Sequence, residues 1–384
     1  MEYLDIFLSR YGWTGVALAA LLIVSLVMQI CRYAVVYGRI ASYRSSRRES
    51  VLGSEPPISV VVPMFSENMP FVVETLPLLL GQVYDKFQIV IVYVGGDNDF
   101  YDDLASMQEH LPNLSTTKIE YNPRFPISVK MALNVGIKSA RYEHIVITTV
   151  EARPSSPKWL ATMGRGFTKG DIVVGYCGVE QGSGFARRII RTDRLLWSAE
   201  WLAAAVRRRP YRGIRHNLGF TKSLYFGSNG FNRLNMNIGE DDLYMQSIMT
   251  RQNVCPVLSS NGAVVESAWG GLGWWVAQRR RYGAAHEFYP GRVRRYMCSE
   301  MVSRILFFAS VAAAAVIMPA EFALTAAGLA LLRWLVVLLS IRRVARRLGE
   351  QKIVAGYILY DLFSPLLGLT VAVSSLRKDP AVWR

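Results

Sequence analysis

The chain combines long apolar runs at its two ends with a central region in which short apolar runs are separated by polar segments. The long runs lie at residues 13–37, 302–318, 322–341 and 353–373. Runs of roughly 17–25 apolar residues are long enough to cross the hydrocarbon core of a bilayer as helices. The pattern therefore predicts one membrane helix near the start of the chain and two to three membrane-spanning or re-entrant helices near its end.

The central region, residues 56–290, has the pattern of an alternating α/β domain. Continuous apolar runs rich in β-branched residues predict buried strands at residues 58–63, 87–94 and 144–149. Helical periodicity predicts helices at residues 70–82, 100–110 and 128–140. The alternation of strands and helices implies a doubly wound, mostly parallel sheet.

Polar side chains follow each predicted strand at the point where the strand ends. Ser66 and Glu67 follow the first strand, Asp97 follows the second, and Glu151 follows the third. In open sheets of this kind, ligands bind at the carboxyl ends of the strands. Because the three groups of side chains should meet at one edge of the sheet, we expect the binding site there.

The distribution of basic residues predicts how the chain is oriented in a membrane. Few charges precede the first apolar run, whereas Arg32, Arg39 and Arg44 lie at its end or just after it. Lys and Arg are enriched on the cytoplasmic side of membrane proteins. We therefore expect residues 1–48 to form an uncleaved anchor with a basic linker, and the central domain to lie in the cytoplasm at the inner membrane. Residues 291–384 then form a C-terminal membrane region.

The last two membrane runs contain ionisable residues. Arg333 and Asp361 lie at apparent membrane depth, where a charge is costly. Either they pair across helices, or they lie near helix ends and extend to the interface. Asp361 and Pro365 also leave two topologies open for the last run, which either crosses the membrane or enters it and returns.

Composition supports a membrane protein with anionic partners. Hydrophobic residues make up 51% of the chain and charged residues 19%, and the net charge is +15. Such a surplus suits contact with anionic lipid or phosphorylated substrates. We interpret the arginine-rich runs at residues 187–194 and 207–215 as electrostatic adhesion to the inner leaflet, in preference to contact with a lipid-linked phosphate or a polyanionic product. The four cysteines are far apart in sequence, which argues against a disulfide framework or a zinc site.

Several short motifs occur in the central region in a fixed order. Val-Pro-Met-Phe-Ser-Glu ends at Glu67, Lys-Met-Ala-Leu-Asn-Val-Gly begins at Lys130, Gly-Glu-Asp-Asp-Leu begins at Gly239, and Gln-Arg-Arg-Arg-Tyr begins at Gln278. Together they resemble the motifs of the family 2 glycosyltransferases of the GT-A fold, whose α/β domain is Rossmann-like. They are most similar to the membrane-bound branch of cellulose- and hyaluronan-synthase-like enzymes. The resemblance covers about residues 58–290.

The resemblance implies a nucleoside-diphosphate sugar as donor and a lipid-linked or glycan acceptor. Residues 56–155 would then form the nucleotide-sugar half of the domain and residues 156–290 the acceptor half. Further implied partners are membrane lipids and polysaccharide-assembly proteins, and no nucleic acid. The donor-binding residues that the resemblance implies are Pro63, Ser66, Glu67, Tyr93, Asp97, Lys130, Asn134, Gln278, Arg281 and Tyr282.

The sequence departs from the family pattern at two positions. Tyr93 stands where the family usually has an aspartate that contacts the uracil or ribose. The metal-binding Asp-x-Asp falls on residues 149–151, where only Glu151 supplies a carboxylate. Either Glu151 is a hard oxygen ligand for Mg²⁺ or Mn²⁺ on the diphosphate, or it is an ordinary capping carboxylate before a turn.

Transfer of a sugar to a hydroxyl requires a general base within hydrogen-bond reach of that hydroxyl. The resemblance implies Asp241 as this base, with Glu240 and Asp242 as neighbouring alternatives. A single displacement with one base inverts the anomeric centre. The three carboxylates are equally compatible with a solvated helix N-terminus, where negative charge is favoured by the helix dipole.

Aromatic residues surround the last motif. Trp269, Trp274, Trp275 and Tyr282 lie close to Gln278 in sequence. Aromatic rings bind the apolar face of sugars, and they are also enriched at membrane interfaces. Both interpretations stay open for these four residues.

The sequence therefore predicts a membrane-bound inverting glycosyltransferase of hexosyl or N-acetylhexosaminyl type. The second hypothesis is a catalytically weak GT-A protein that serves as a partner or scaffold in envelope polysaccharide synthesis. Tyr93 and the missing first aspartate of the metal motif motivate it. A basic nucleic-acid-binding protein is the third hypothesis, and it is disfavoured because no recognition module is visible and many arginines flank apolar segments.

Overall fold

A seven-stranded sheet forms the centre of the protein. The computed structural model describes residues 2–44, 55–120, 127–234, 239–268 and 270–375. The strands are β1 (Ile58–Met64), β2 (Phe87–Gly95), β3 (Leu114–Glu120), β4 (His144–Ile147), β5 (Ala152–Pro154), β6 (Ile172–Gly175), β7 (Cys177–Val179), β8 (Leu218–Thr221), β9 (Val254–Val257) and β10 (Val264–Glu266).

The large sheet has the strand order β3-β2-β1-β4-β8-β6-β9, and a small sheet has the order β5-β10-β7. All pairings in the large sheet are parallel except those of β8, which runs antiparallel to β4 and β6. Every residue of β1 and β2 is buried, as expected for central parallel strands covered on both faces. The small sheet holds the segment after Glu151 against β10.

The three strands predicted from apolar runs are confirmed, whereas β3 was not predicted. This strand lies at the edge of the sheet. Its sequence, Leu-Ser-Thr-Thr-Lys-Ile-Glu, is mostly polar and half-buried. Polar and charged side chains are common on edge strands because they prevent pairing with other chains. They also interrupt the continuous apolar run from which the other strands were predicted.

Thirteen α-helices accompany the strands in the described residues. They are α1 (Glu2–Ile30), α2 (Gly38–Ser42), α3 (Leu76–Leu80), α4 (Asn98–His110), α5 (Val129–Ser139), α6 (Trp159–Phe167), α7 (Phe185–Val206), α8 (Lys222–Gly227), α9 (Leu243–Ile248), α10 (Leu272–Gly283), α11 (Gly291–Ile317), α12 (Ala320–Leu348) and α13 (Ile353–Ser375). Short 3₁₀ turns occur at Arg215–Asn217, Gly230–Arg233, Ser260–Gly262 and His286–Phe288.

Two segments of π-helix interrupt the regular helices. Cys31–Tyr37 joins α1 to α2, and Phe71–Thr75 precedes α3. The second segment lies within the helix predicted for residues 70–82. Pro77 is the second residue of α3, and it has no N–H to donate to the preceding turn. The wider π turn accommodates this missing hydrogen bond.

Three helical segments are long and apolar enough to cross a membrane: Phe7–Ser42, Gly291–Ile317 and Ala320–Leu348. Only two residues separate α11 from α12, so the two helices form a tight hairpin. Helix α13 has a shorter apolar stretch, Ile353–Gly368. It packs closely against α7, where a Cβ on Gly356 would lie 2.6 Å from Oγ1 of Thr192.

A buried group of polar residues connects the apolar helices to one another. Nη1 of Arg333 donates to Oδ2 of Asp361 over 2.6 Å, and both side chains are fully buried. Nη2 of Arg333 also donates to Oε1 of Gln29 on α1 over 2.8 Å. The predicted pairing of Arg333 with Asp361 across helices is therefore confirmed. The alternative of a position near a helix end is wrong for these two residues.

We predict that Asp361→Ala lowers the thermal unfolding temperature of the full chain in detergent. The substitution leaves the guanidinium of Arg333 buried without its carboxylate, which typically costs about 3–5 kcal/mol. Replacing both residues with leucine should recover most of the loss, since no unpaired charge then remains. Arg10 and Glu321 form an exposed pair, and Arg10→Gln is the control, with an expected change below about 1 kcal/mol. An Asp361→Ala protein as stable as the parent would contradict the prediction.

Candidate active site

The Gly-Glu-Asp-Asp segment turns inward just before α9. Gly239 has a φ of 106°, a conformation that residues with a Cβ rarely adopt. The side chain of Asp242 accepts from the N–H of Leu243 at the start of α9. Glu240, Asp241 and Asp242 are 4%, 6% and 2% exposed. The interpretation of these carboxylates as a solvated helix start is therefore wrong.

The three carboxylates differ in their hydrogen bonds. Both oxygens of Asp242 are used, because Oδ1 accepts from Leu243 N (2.6 Å) and Oδ2 from the Tyr289 hydroxyl (2.7 Å). Glu240 accepts from Nη1 of Arg215 over 3.3 Å. Oδ2 of Asp241 accepts from the backbone N–H of Arg215 over 3.1 Å. No residue that the structure describes donates to Oδ1 of Asp241, so this oxygen is available to accept a proton.

Burial changes the acidity of Asp241. Desolvation and the neighbouring charges of Asp242 and Glu240 raise its pKa to about 6, and the guanidinium groups of Arg212 and Arg215 oppose the rise. A carboxylate with a pKa near the working pH is suited to general-base catalysis. The geometry and the charge of its surroundings thus distinguish Asp241 from its two neighbours.

Cationic side chains face these carboxylates across a small cavity. Arg215, Arg281 and Tyr282 line it together with the residues Gly239–Asp242 and Ala285. Burial lowers the pKa of Lys130, and the nearby charge of Glu240 opposes this effect. The structure therefore brings Lys130 and Arg281, which lie far apart in sequence, to the same carboxylates. Guanidinium and ammonium groups at such a cavity are suited to binding phosphate oxygens.

Glu151 interacts electrostatically with Arg215, which lines this cavity. Its side chain is exposed, and its carbonyl accepts from the N–H of Ser267 over 2.9 Å, next to the pairing of β5 with β10. Burial disfavours the charge of Arg215, yet the carboxylates of Glu240, Asp241 and Glu151 raise its pKa. Because Glu151 and Asp241 act on the same guanidinium, they belong to one electrostatic environment. An exposed carboxylate fits a divalent cation that takes its other ligands from diphosphate oxygens and water.

A second group of candidate metal ligands lies deeper in the domain. One ligand atom from each of Cys177, His216 and Glu266 lies within 4.8 Å of the others, and all three residues are buried. Nη2 of Arg194 already lies 2.6 Å from Oε2 of Glu266. Burial raises the pKa of the Cys177 thiol, which keeps it protonated. A neutral thiol beside an arginine-paired carboxylate does not fit a metal site, because metal binding needs the thiolate.

Tyr93 occupies the end of β2, where the resemblance would place an aspartate. It is 1% exposed, and its ring lies 5.4 Å from that of Phe100 and 6.1 Å from that of Tyr101. A Cβ on Gly95 would lie 2.3 Å from the Tyr93 hydroxyl, so the glycine is required for this packing. Asp97 caps α4 by accepting from the N–H of Phe100 over 3.0 Å.

The other predicted donor-binding residues lie at different depths. Ser66 and Glu67 are exposed after β1, and Pro63 is buried within it. Gln278 is half-buried on α10, one turn before Arg281. Asn134 instead accepts from the Tyr225 hydroxyl over 3.2 Å and lines a separate cavity. The structure therefore does not bring Asn134 together with Asp241.

The interpretation of the arginine runs as membrane adhesion is wrong for the arginines that point inward. Arg191 lies 2.5 Å from Glu350, and Arg212 is 1% exposed, with its guanidinium 4.4 Å from the ring centroid of Trp197. Sequence reasoning missed Arg212 and Arg215 as site residues. The available signal was the segment Pro-Tyr-Arg-Gly at residues 210–213, which contains Arg212 and lies two residues before Arg215.

Asp193 connects α10, the helix with the last motif, to two other helices. Its carboxylate accepts from Trp275 Nε1 (2.7 Å), Arg279 Nη2 (3.1 Å) and the Tyr360 hydroxyl (2.9 Å). Trp275 therefore holds α10 on α7. This contact is neither sugar binding nor a position in a membrane-interface belt, the two interpretations that the sequence left open. Tyr282 packs on Trp197 with ring centroids 4.7 Å apart.

Of the two other tryptophans near the last motif, Trp274 is half-buried, and Trp269 lies outside the described residues.

No protein-family model matches the chain, and no curated protein matches it. Solved structures do match. The mannosyltransferase PcManGT from Pyrobaculum calidifontis in complex with GDP-Man and Mn²⁺ has a TM-score of 0.58 and 18% identity, over 94% of this chain and 100% of that chain. S. aureus TarS 1–349 in complex with UDP-GlcNAc has a TM-score of 0.39 and 14% identity, over 81% and 92% of the two chains. The first likeness confirms the predicted fold class, while membership of family 2 stays a prediction.

We predict that Asp193→Ala destabilises the protein. Three donors lose their acceptor and Arg279 loses its counter-charge, a loss on the order of 3 kcal/mol. Thermal unfolding measures this loss. Asp193→Asn should be intermediate because it keeps an acceptor oxygen. The exposed Asp103→Ala on α4 is the matched control, and equal behaviour of the two alanine variants would refute the role of Asp193.

Proposed function

We propose that this protein is a membrane-bound inverting glycosyltransferase. It transfers a sugar from a nucleoside-diphosphate sugar to a hydroxyl of a lipid-linked or polysaccharide acceptor. The observation that carries the proposal is the buried Asp241, which has a free carboxylate oxygen and a pKa raised to about 6 and shares a cavity with Arg215 and Arg281. The fold shared with a mannosyltransferase that binds GDP-Man supports it.

Each group at the cavity has a defined task in this reaction. Oδ1 of Asp241 accepts the proton of the acceptor hydroxyl as that oxygen attacks the anomeric carbon. Lys130 and Arg281 stabilise the negative charge that develops on the departing diphosphate, and preorganised charge of this kind is often the largest catalytic contribution. Gln278 and Tyr282 position the sugar beside the base, and Pro63, Ser66, Glu67, Tyr93 and Asp97 surround the nucleotide at the edge of the sheet.

Glu151 is the residue that would hold a divalent cation, Mg²⁺ or Mn²⁺. Such a cation neutralises the leaving diphosphate when it is bound. The presence of Mn²⁺ in the mannosyltransferase complex supports this assignment. Glu240 is buried and paired with Arg215, whereas Glu151 is exposed and can take a cation from solvent.

The three long apolar helical segments support a membrane location. We propose that residues 1–48 form the anchor with its basic linker, residues 56–290 the catalytic domain, and residues 291–384 the C-terminal membrane region. The basic residues after the first apolar run favour a position of the catalytic domain in the cytoplasm at the inner membrane. Nucleotide sugars are then available to the site, and a lipid-linked acceptor reaches it from the membrane surface.

The alternative function is that of a catalytically weak partner in envelope polysaccharide synthesis. Tyr93 favours this alternative. Its buried ring packs against Tyr101 near the end of β2, at the position where the family usually has an aspartate that can bind the ribose. A donor screen separates the two functions. Release of nucleoside diphosphate from GDP-Man, UDP-GlcNAc and other nucleotide sugars is measured with Mn²⁺ or Mg²⁺, and equal rates for the parent and Asp241→Asn would favour the partner role.

We predict that Asp241→Asn lowers turnover by roughly 10²–10⁴-fold, the usual contribution of a general base. The parent enzyme should lose activity as the pH falls through about 6, by about tenfold per pH unit below it. Activity falls on the acidic side because protonated Asp241 cannot accept a proton. Since the pKa of Asp241 is raised, this protonation occurs nearer to neutral pH than for an ordinary aspartate. Asp103→Asn is the control. A flat profile of kcat/KM between pH 5 and 8 would exclude Asp241 as the base.

We predict that Glu151→Gln weakens Mn²⁺ binding in the presence of GDP or UDP by about tenfold or more, because an amide is a much poorer ligand than a carboxylate for a hard cation. Electron paramagnetic resonance of free Mn²⁺ measures the affinity without any turnover. Glu109→Gln, an exposed change on α4, should have no effect. Unchanged Mn²⁺ affinity in Glu151→Gln would remove the metal role from this residue.

A further inference from the structure

A cavity of about 340 Å³ lies outside the candidate active site, between the end of α7, the segment after α9 and the first turn of α11. Five arginines line it: Arg207, Arg208, Arg209, Arg251 and Arg292. We call this cavity the arginine pocket. Apolar and aromatic side chains, including Met249, Val293 and Tyr296, form the rest of its wall.

The five guanidinium groups have no ion-pair partner among the described residues. No carboxylate of those residues lies within 4.0 Å of any of them. By contrast, the inward-facing Arg191, Arg194 and Arg215 each have an acidic partner. Four of the five pocket arginines are exposed, and Arg207 is half-buried. Like charges around one cavity repel one another, so a bound anion would reduce the repulsion between them.

Arg208 adopts a backbone conformation that is unfavourable for its residue type. Its φ is 57°, and it occupies the left-handed position of a Schellman motif, with bonds from Arg208 N to Ala205 O and from Arg209 N to Ala204 O. The same motif ends α12, where Gly349 stands in the equivalent place with a φ of 85°. Glycine avoids the steric cost of this conformation, so the arginine side chain is retained at the expense of backbone strain.

The helix dipoles do not account for the whole group. Cations are favoured at the C-terminus of a helix, which applies to Arg207, Arg208 and Arg209 at the end of α7. Arg292, however, lies in the first turn of α11, where the helix dipole disfavours a cation. Its presence adds to the positive potential of the pocket.

The position of the pocket beside α11 indicates which anion it would bind. The exposed apolar residue Leu306 of α11 follows Arg292 by 14 residues, which places it roughly 21 Å along the helix and about 40° around it from Arg292. Helix α11 is long and apolar enough to cross a membrane. A ligand with an anionic head and an apolar chain would place its head among the arginines and its chain along α11. We propose that the arginine pocket binds the phosphate or diphosphate group of a membrane lipid.

The pocket is separate from the candidate catalytic cavity, and this inference does not rest on the proposed function. Tyr211 lines the pocket. The next residue, Arg212, is buried beside Trp197 on the side of the candidate active site, where its charge limits the rise in the pKa of Asp241. The segment Pro210–Gly213 therefore separates the two cavities. The backbone N–H of Gly213 donates to the carbonyl of Asp241 over 2.8 Å.

The first test measures binding of farnesyl diphosphate to the full chain in neutral detergent at fixed ionic strength, without divalent metal. The variant combining Arg207→Gln, Arg208→Gln and Arg251→Gln should lower the affinity at least tenfold, since hydrogen bonds to charged groups are strong. The matched control combines Arg342→Gln, Arg343→Gln and Arg346→Gln on α12, exposed arginines that line no cavity among those described here. An equal loss in both variants, or no loss in either, overturns the proposal.

Arg208→Gly provides a second test in which stability and binding change in opposite directions. Glycine suits the left-handed position, so the melting temperature should rise, while the affinity for farnesyl diphosphate should fall severalfold. Misfolding cannot produce this combination. Unchanged affinity in the more stable variant contradicts a binding role for Arg208 and overturns the proposal.

A third set of measurements separates the sources of the phosphate. Inorganic diphosphate should compete at least tenfold more weakly than farnesyl diphosphate because it cannot contact the apolar wall, and equal competition overturns the lipid assignment. Nanodiscs containing phosphatidylglycerol are compared with nanodiscs of phosphatidylcholine alone. Displacement of farnesyl diphosphate by phosphatidylglycerol identifies the headgroup of a bulk anionic lipid as the ligand, and persistence of binding identifies an isoprenyl diphosphate.

Discussion

The contact between Arg215 and the acidic segment is the interaction on which the candidate active site depends. One arginine supplies its backbone N–H to Asp241 and its guanidinium to Glu240. Three consecutive carboxylates would repel one another in a buried segment, and burial of such charge is tolerated only with nearby cations. The contact permits the burial of Asp241, and burial together with the neighbouring carboxylates raises its pKa while Arg215 limits the rise. No described residue donates to Oδ1 of Asp241, so this oxygen can act as the base.

Buried charges also connect this site to the apolar helices. Asp193 joins α10 to α7 and α13, and Asp361 joins α13 to α12. Glu350, which follows α12, accepts from the buried Arg191 of α7. Breaking any such pair leaves a charge without its partner in a region of low dielectric, which is strongly unfavourable. These pairs therefore hold the candidate active site in a fixed position relative to the apolar helices.

Sequence reasoning predicted the elements that a local sequence pattern specifies. Continuous apolar runs located β1, β2 and β4, and the order of the motifs located the segment around Asp241. The edge strand β3 has no such signal because its polar residues suit an edge. The contact between Asp193 and Tyr360 joins residues 167 positions apart, and no local pattern specifies it. Arg209 is exposed and Arg212 is buried within one short run, so residue type alone does not separate them.

The arginines of the chain fall into two main groups, those buried and paired with carboxylates and those at the surface. Arg191, Arg194 and Arg333 are buried and each is paired with a carboxylate, so these residues contribute nothing to the surplus of the chain. Arg212 is buried over the ring of Trp197 without an ion pair among the described residues. Burying an unpaired cation is costly, however, which favours the surface for the surplus. Part of the surplus converges on the arginine pocket, whose volume of about 340 Å³ suits a single anionic head group. A nucleic acid would instead require basic residues along an extended path, and a group of arginines beside one apolar helix offers no such path.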